Sequence, residues 1–584
     1  MEKRTIIAII LTFFIILLWG IIQSKYFPPT PEKPPAKEEK KPPLVSAPEP
    51  KTQEIGAVSK EPPVSKGAPG SITKVIPNRE VSVETQNYWA VVTSDGAALK
   101  AFRLKKYLDR VEESPMALKL TNFIRSLLGK PELVQLKPEP VSLVNTTEKE
   151  GLPLRMILAG SNPTLLEGNW EVDKDRLTLE KPGEEGEVSF TKELGNGLKL
   201  VKRFGFSSES DVIDLELMIQ NSSTNEISLQ PGVDWTGRVD LIKLSEEGNK
   251  DFGLKYAYLK NQKVEIKELG RSGSSGCTPG CERTKTTINS FQISDKGNIQ
   301  WFAYAGEFFT AMLIPPPSKE GMTLTVSGEE NNLVKADLVS APLALSPGQT
   351  IKIPYRVYLG PKQIDALRKL GADADKLINF GFFTIVAKPL LWLLNVTHHA
   401  TRNFGIDIII LSILLKIIFL PLTQMSMRSM KEMQKVQPEM SRLKETFKND
   451  KARLQQEIML LYKRRKINPL SGCLPMLIQI PVFIALYNVL QNTFEMRHAP
   501  FIWWIRDLSA KDPIYITPLI MGATMVIQQK MTPSAADPAQ AKLFMLMPIM
   551  FTFLFLSLPS GLVLYWLVTN VLSIAHQYYI TKKM

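Results

Sequence analysis

Apolar and polar positions along this chain fall into three regimes. Thr5–Ile22 is an uncharged run of 18 residues behind Lys3 and Arg4, the pattern of a membrane span or a signal-peptide core. No small-x-small cleavage pattern follows it, which predicts an uncleaved anchor over residues 1–27 with a cytoplasmic N-terminus. Residues 28–77 are dominated by Pro, Lys, Glu, Ala and Ser. Such a segment buries too little apolar surface to offset its ordering entropy, so a flexible tether is expected.

Over residues 78–362 the apolar period becomes two. VSVETQNYWAVVTS, GLKLVKRFGF, VIDLELMIQN and QTIKIPYRVYLG alternate as half-buried strands do, and SDG, KPGEEG, NSSTN and SPG punctuate them as turns. Long helical periodicity is rare, which predicts an all-β sandwich. After Gly360 the pattern turns helical, and Phe380–Val396 (FGFFTIVAKPLLWLLNV) reads as an amphipathic interfacial helix within a linker, 363–403.

Five further apolar runs follow: Ile406–Thr423, Cys473–Phe494, Ile514–Gln529, Leu543–Leu558 and Leu562–Gln577. They place spans at 404–424, 471–495, 514–530, 543–558 and 560–584, the last with a short basic tail. A helical hairpin (425–470), an outer loop (496–513) and a short inner loop (531–542) connect them. Met425–Ile467 carries twelve Lys/Arg against five Asp/Glu, so it should remain cytoplasmic. Counted from a cytoplasmic N-terminus, six spans then put residues 28–375 outside and the C-terminus inside. Parity and charge agree.

The net charge of +13 suits nucleic acid in a soluble protein, but in a membrane protein it marks cytoplasmic loops beside anionic lipid. The three cysteines are too few for a disulfide scaffold or a four-cysteine zinc site. Cys277 and Cys281, in GSSGCTPGC, form either a local disulfide or two free thiols in a surface loop, and Cys473 reads as packing. The four histidines, His398, His399, His498 and His576, all lie beyond residue 362, which excludes a histidine-based active site from the β region. No catalytic set, metal cluster or cofactor motif is found, so no cofactor is expected.

Three features carry mechanism. Lys416, in IDIIILSILLKIIFLPLT, lies roughly 15 Å along its helix at ~1.5 Å per residue, near mid-bilayer. A lysine there costs on the order of 2.5–3.5 kcal/mol and normally faces protein or water; the reading is a hydrophilic cavity, and the alternative is snorkelling past Pro421. Ile514–Gln529 and Leu543–Leu558 are short, about 24 Å each as helix against ~30 Å of hydrocarbon, and thinning of the bilayer or a small tilt answers either. In the hairpin, Met430, Met433, Met440, Leu443 and Phe447 form one stripe and Leu454, Ile458 and Leu461 a second, with Asn449-Asp450 as the turn. Methionines repack against varied partners and also fill hairpin cores.

From Phe380 onward the chain resembles the YidC family of membrane insertases, whose relatives include the mitochondrial oxidase-assembly and chloroplast albino-type proteins. The resemblance rests on NFGIDIIILSILLKIIFLPLT, MKEMQKVQPEM, LLYKRRKINPLSGCLPMLIQIPVFIALY, APFIWWIRDLSAKDP and PSGLVLYWLVTN, and more weakly on WFAYAGEFFTAMLIP and YLGPK. It implies a five-helix insertase core within an α-helical polytopic inner-membrane protein, and a β-supersandwich for the periplasmic domain. It also implies a groove open to cytoplasm and lipid whose positive residue is Lys416, where many members have arginine; lysine gives up its proton more readily on burial. Ser412, Tyr565 and Trp566 correspond to client-contacting positions. The implied partners are newly made membrane proteins, the Sec translocon, the ribosome and anionic lipids; members with long basic tails turn them towards ribosomes, whereas this one is short. Two other classes stay open: a small-solute transporter, for which no inverted repeat or paired ionisable sites are seen, and an intramembrane enzyme, for which no HExxH or Asp pair is seen.

Overall fold

The computed structural model describes residues 76–583, apart from 113–114, 128–131, 133–136, 160–162, 239–254, 270–289, 330–331, 466–473 and 532–537. The expected anchor, nearly all of the tether, and Cys277, Cys281 and Cys473 lie outside the described residues.

Residues with period-two apolarity form strands, and Leu198–Ser207 alternates buried and half-buried positions along its whole length. It pairs antiparallel with Val212–Asn221 and Glu185–Glu193 in a nine-stranded sheet. A second sheet contains Met322–Gly328, Leu333–Ser340 and Ile227–Arg238 as neighbours. One apolar core runs between the two, with Leu217 and Val357 from the first sheet and Trp235, Val326 and Leu338 from the second. Tyr304 ties them together, its single hydroxyl proton shared between the carbonyls of Val334 (2.8 Å) and Trp235 (3.2 Å) on the opposite sheet.

Where the sequence is continuously apolar rather than alternating, the strand is covered on both faces. Ile299–Ala305 and Phe309–Ile314, the WFAYAGEFFTAMLIP segment, are almost wholly buried. One face meets the inter-sheet core. On the other, Trp301, Met312 and Ile314 pack beneath Leu367 and Leu370 of a short helix, Ile364–Leu370, and beneath Leu377.

The all-β expectation needs one correction. A helix, α1 (Pro115–Leu127), interrupts the strands. Its apolar residues Met116, Leu120, Phe123 and Leu127 recur every three or four positions, and Pro115 opens it, where a missing N–H costs nothing. Numbering continues with α2 for Ile364–Leu370.

The C-terminal half is helical: α3 (Thr384–Thr401), α4 (Phe404–Ile418), α5 (Leu420–Lys435), α6 (Gln437–Thr446), α7 (Lys451–Arg465), α8 (Leu474–Asn492), α9 (Ile516–Met531), α10 (Pro538–Phe555) and α11 (Ser560–Lys583). Asn403 caps α4, its side chain accepting from the backbone N–H groups of Gly405 (2.9 Å) and Ile406 (3.2 Å). Asp512 does the same for α9, accepting from the N–H of Thr517 at 2.8 Å. The apolar run Ile406–Thr423 is not one straight helix: α4 and α5 meet at 59° around Phe419. Pro421 causes the break, because it has no N–H to donate and its ring collides with the carbonyl one turn back. Among the described residues no single helix is long and apolar enough to cross a membrane, while the bent pair α4–α5 passes together.

Candidate functional site

The residues that interrupt the apolar helices converge. On α11, Tyr565, Thr569, Ser573 and Gln577 recur every four residues, with Asn570 and His576 beside them, and so share one broad face. Opposite them, α4 contributes Ser412 and Lys416, one turn apart; α8 contributes Gln479 and α9 Thr524. Lys416 Nζ donates to Ser573 Oγ at 2.7 Å, and Ser573 donates in turn to the Thr569 carbonyl, also at 2.7 Å. Gln479 Nε2 donates to the Tyr565 hydroxyl. Asn570 Nδ2 reaches Thr524 Oγ1 at 3.4 Å, and Gln577 Nε2 donates to the Met531 carbonyl at 2.6 Å. Interhelical polar contacts of this kind stabilise helix association by about 0.6–2 kcal/mol each in a membrane.

The seam is not fully satisfied. Both ring nitrogens of His576 are buried without a hydrogen-bond partner among the described residues. Lys416 is half-buried, and its one described hydrogen bond is to a neutral hydroxyl rather than a carboxylate. A cation with three donors held against one hydroxyl retains capacity for acceptors brought by another molecule.

The other sequence-derived candidates fall in several places. Ser412 is buried with its hydroxyl turned to the Ile408 carbonyl of its own helix at 2.7 Å. Tyr565 is buried in the helical core. Trp566, next in sequence, packs into the rings of Phe483 (5.2 Å, edge-on), Phe551 and Phe555. In the hairpin, Met440 is buried with Val436 and Leu461, against half-buried Leu443, Ile458 and Tyr462, and the Tyr462 hydroxyl lies 3.3 Å from Met440 Sδ. Met430 and Met433 are half-buried on α5 outside that cluster. Leu454 is half-buried on α7.

Sequence reasoning missed one ionisable group. Asp407, in the first turn of α4, is fully buried; Thr401 Oγ1 donates to it at 2.6 Å and His398 Nδ1 lies 2.9 Å from its other oxygen. The His398 ring stacks on Phe404 at 3.6 Å. The available signal was an acid three residues into an otherwise apolar run, preceded by a histidine nine residues earlier. No group of three or more His, Cys, Asp or Glu that could hold a metal occurs among the described residues.

The family model described as 60Kd inner membrane protein matches residues 396–584, and that described as YidC periplasmic domain matches residues 126–393. The membrane protein insertase YidC of Geotalea daltonii is 35% identical over 592 residues, covering 100% of both chains. That of Syntrophus aciditrophicus is 36% identical over 591 residues, again 100% of both. A crystal structure of an active YidC insertase with its first transmembrane domain resolved is 19% identical, covers 86% of this chain and 93% of its own, and superposes with a TM-score of 0.35. Full-length identity at this level settles the family: the chain belongs to the YidC membrane protein insertases.

Proposed function

We propose that this protein inserts other proteins into the inner membrane, with the polar seam around Lys416 as the point of entry. The observation that carries the reading is the Lys416–Ser573 contact, a cation inside an apolar helix with no described acidic partner. Six spans place the N- and C-termini in the cytoplasm and residues 28–375 in the periplasm. A client first meets the basic hairpin of α5, α6 and α7, which also suits anionic lipid headgroups and a ribosome. Its polar or acidic flank then enters the seam, where Lys416 takes it as an acceptor. Its apolar part slides along α8 and α10. Support comes from Leu546, Ile549, Met550 and Phe553, which expose one apolar stripe of α10. Hydrophobic partitioning drives the transfer at ~25 cal/mol per Å² of apolar area. No covalent step and no cofactor are required. Ser412, Tyr565 and Trp566 line the path that opens when α4 and α11 part.

The test is protease-protected insertion of a short, Sec-independent client into liposomes containing only the purified protein. Insertion well above that of empty liposomes supports an autonomous insertase. Insertion only when the Sec translocon is co-reconstituted supports a Sec-associated chaperone instead.

A further inference from the structure

Helix α1 lies almost entirely ahead of the region matched by the periplasmic family model, which begins at residue 126. On its inward side Ala117 is buried and Leu118 half-buried, and Thr121 Oγ1 donates to the Pro513 carbonyl at 3.2 Å. Pro513 lies three residues before α9, so α1 sits beside the entry of a helix assigned above to the membrane. The strand leading into α1 is fixed to the same region, because Arg497 donates to the Leu108 carbonyl at 2.6 Å and stacks over Phe309 at 5.0 Å.

The outward side is apolar and open. Met116 is 81% exposed and Phe123 61%, with Leu120 exposed between them; these positions form one stripe at helical spacing. α1 carries Lys119 and Arg125 and no acidic residue. In the loop that ends at Pro513, Ile502 and Trp503 are exposed as well, the latter by 77%. An aromatic and aliphatic strip with basic flanks beside a membrane helix has the chemistry of an interfacial helix.

We propose that α1 is a second membrane contact of the periplasmic domain, lying on the anionic lipid surface beside α9 with Met116, Leu120 and Phe123 among the acyl chains. This fixes the β-sheet domain at two points, through Arg497 and through lipid. The inference rests on the membrane placement of the helical region and not on insertase activity.

The experiment uses the full chain, with Cys277, Cys281 and Cys473 replaced by serine, in vesicles of phosphatidylethanolamine and phosphatidylglycerol. Nitroxide labels are placed singly by Met116→Cys, Phe123→Cys, Ser126→Cys and Phe553→Cys. All four positions are exposed, so labelling leaves the fold intact. Ser126 lies off the apolar stripe, and Phe553 on α10 reports membrane placement itself. The expected result is an oxygen-to-nickel-chelate accessibility ratio several-fold higher at 116 and 123 than at 126, and high at 553. A high ratio at 553 with water-like values at 116 and 123 overturns the role of α1 alone; water-like values at all four overturn the membrane placement as well. Shielding of 116 and 123 from both reagents overturns the proposal in favour of a protein covering, such as a second copy of the chain.

Discussion

His398 presents Nδ1 to Asp407 Oδ2 at 2.9 Å, across the turn that joins α3 to α4. The acid is fully buried and accepts a second hydrogen bond from Thr401. Together with the Asn403 cap, the pair fixes the angle at which α4, and with it Lys416, leaves α3. A buried acceptor set of this kind is costly to break from one side only, because the remaining partners stay desolvated.

Asp407→Ala should therefore lower the melting temperature of the purified chain in detergent, with a loss of about 1–3 kcal/mol. An unchanged melting temperature would show that the pair does not support the junction.

Gly522 marks a close approach of α9 to α10. A Cβ built there would stand 2.1 Å from Thr552 Oγ1, which is held to the Pro548 carbonyl at 2.7 Å. Gly522→Ala should destabilise by about 1–3 kcal/mol, as overpacking does. Adding Thr552→Ala should recover part of the loss, and strictly additive melting shifts in the double mutant would refute the contact.

In the β domain, Lys202 is wholly buried and donates to the carbonyls of Ala97, at 2.5 Å, and Leu154. Burial lowers its pKa from 10.5 to about 7. Between those values the unfolded chain binds the extra proton, so stability rises with pH from 7 upward, by at most ~1.4 kcal/mol per unit, and is insensitive to this group below 7. Lys362, lowered by burial to about 8, adds a slope of the same sign only at higher pH. Asp234, which burial raises to about 6 against the pull of Arg155, acts below that value. Chemical denaturation of the full chain between pH 7 and 8 should show the rise, and Lys202→Met should flatten it. A slope unchanged by the substitution would contradict the assignment.

The strands were legible because each sheet face repeats every second residue, as in Leu198–Ser207. The doubly buried strands at 299–314 were equally plain as unbroken apolar runs. α1 was not, because a 13-residue helix between strands carries no flanking signal beyond Pro115 and its own spacing. Lys416 stood out as the one basic residue in its apolar run, but its partner did not. Ser573 lies 157 residues away, and which hydroxyl on α11 faces α4 depends on how the two helices rotate against each other. The bend at Phe419 was written in Pro421, yet hydropathy alone reads through a proline.

Lys416 is proposed to receive the acidic or polar flank of a client. The most direct measurement is insertion by wild-type, Lys416→Arg and Lys416→Ala proteins in liposomes, using paired clients that differ only in having Asp or Asn in the flank. Lys416→Ala should lower insertion of the acidic-flank client by roughly tenfold, the equivalent of about 1.4 kcal/mol. The loss with the neutral flank should be much smaller, and Lys416→Arg should restore insertion. Equal insertion by Lys416→Ala and wild type across both clients would contradict that role.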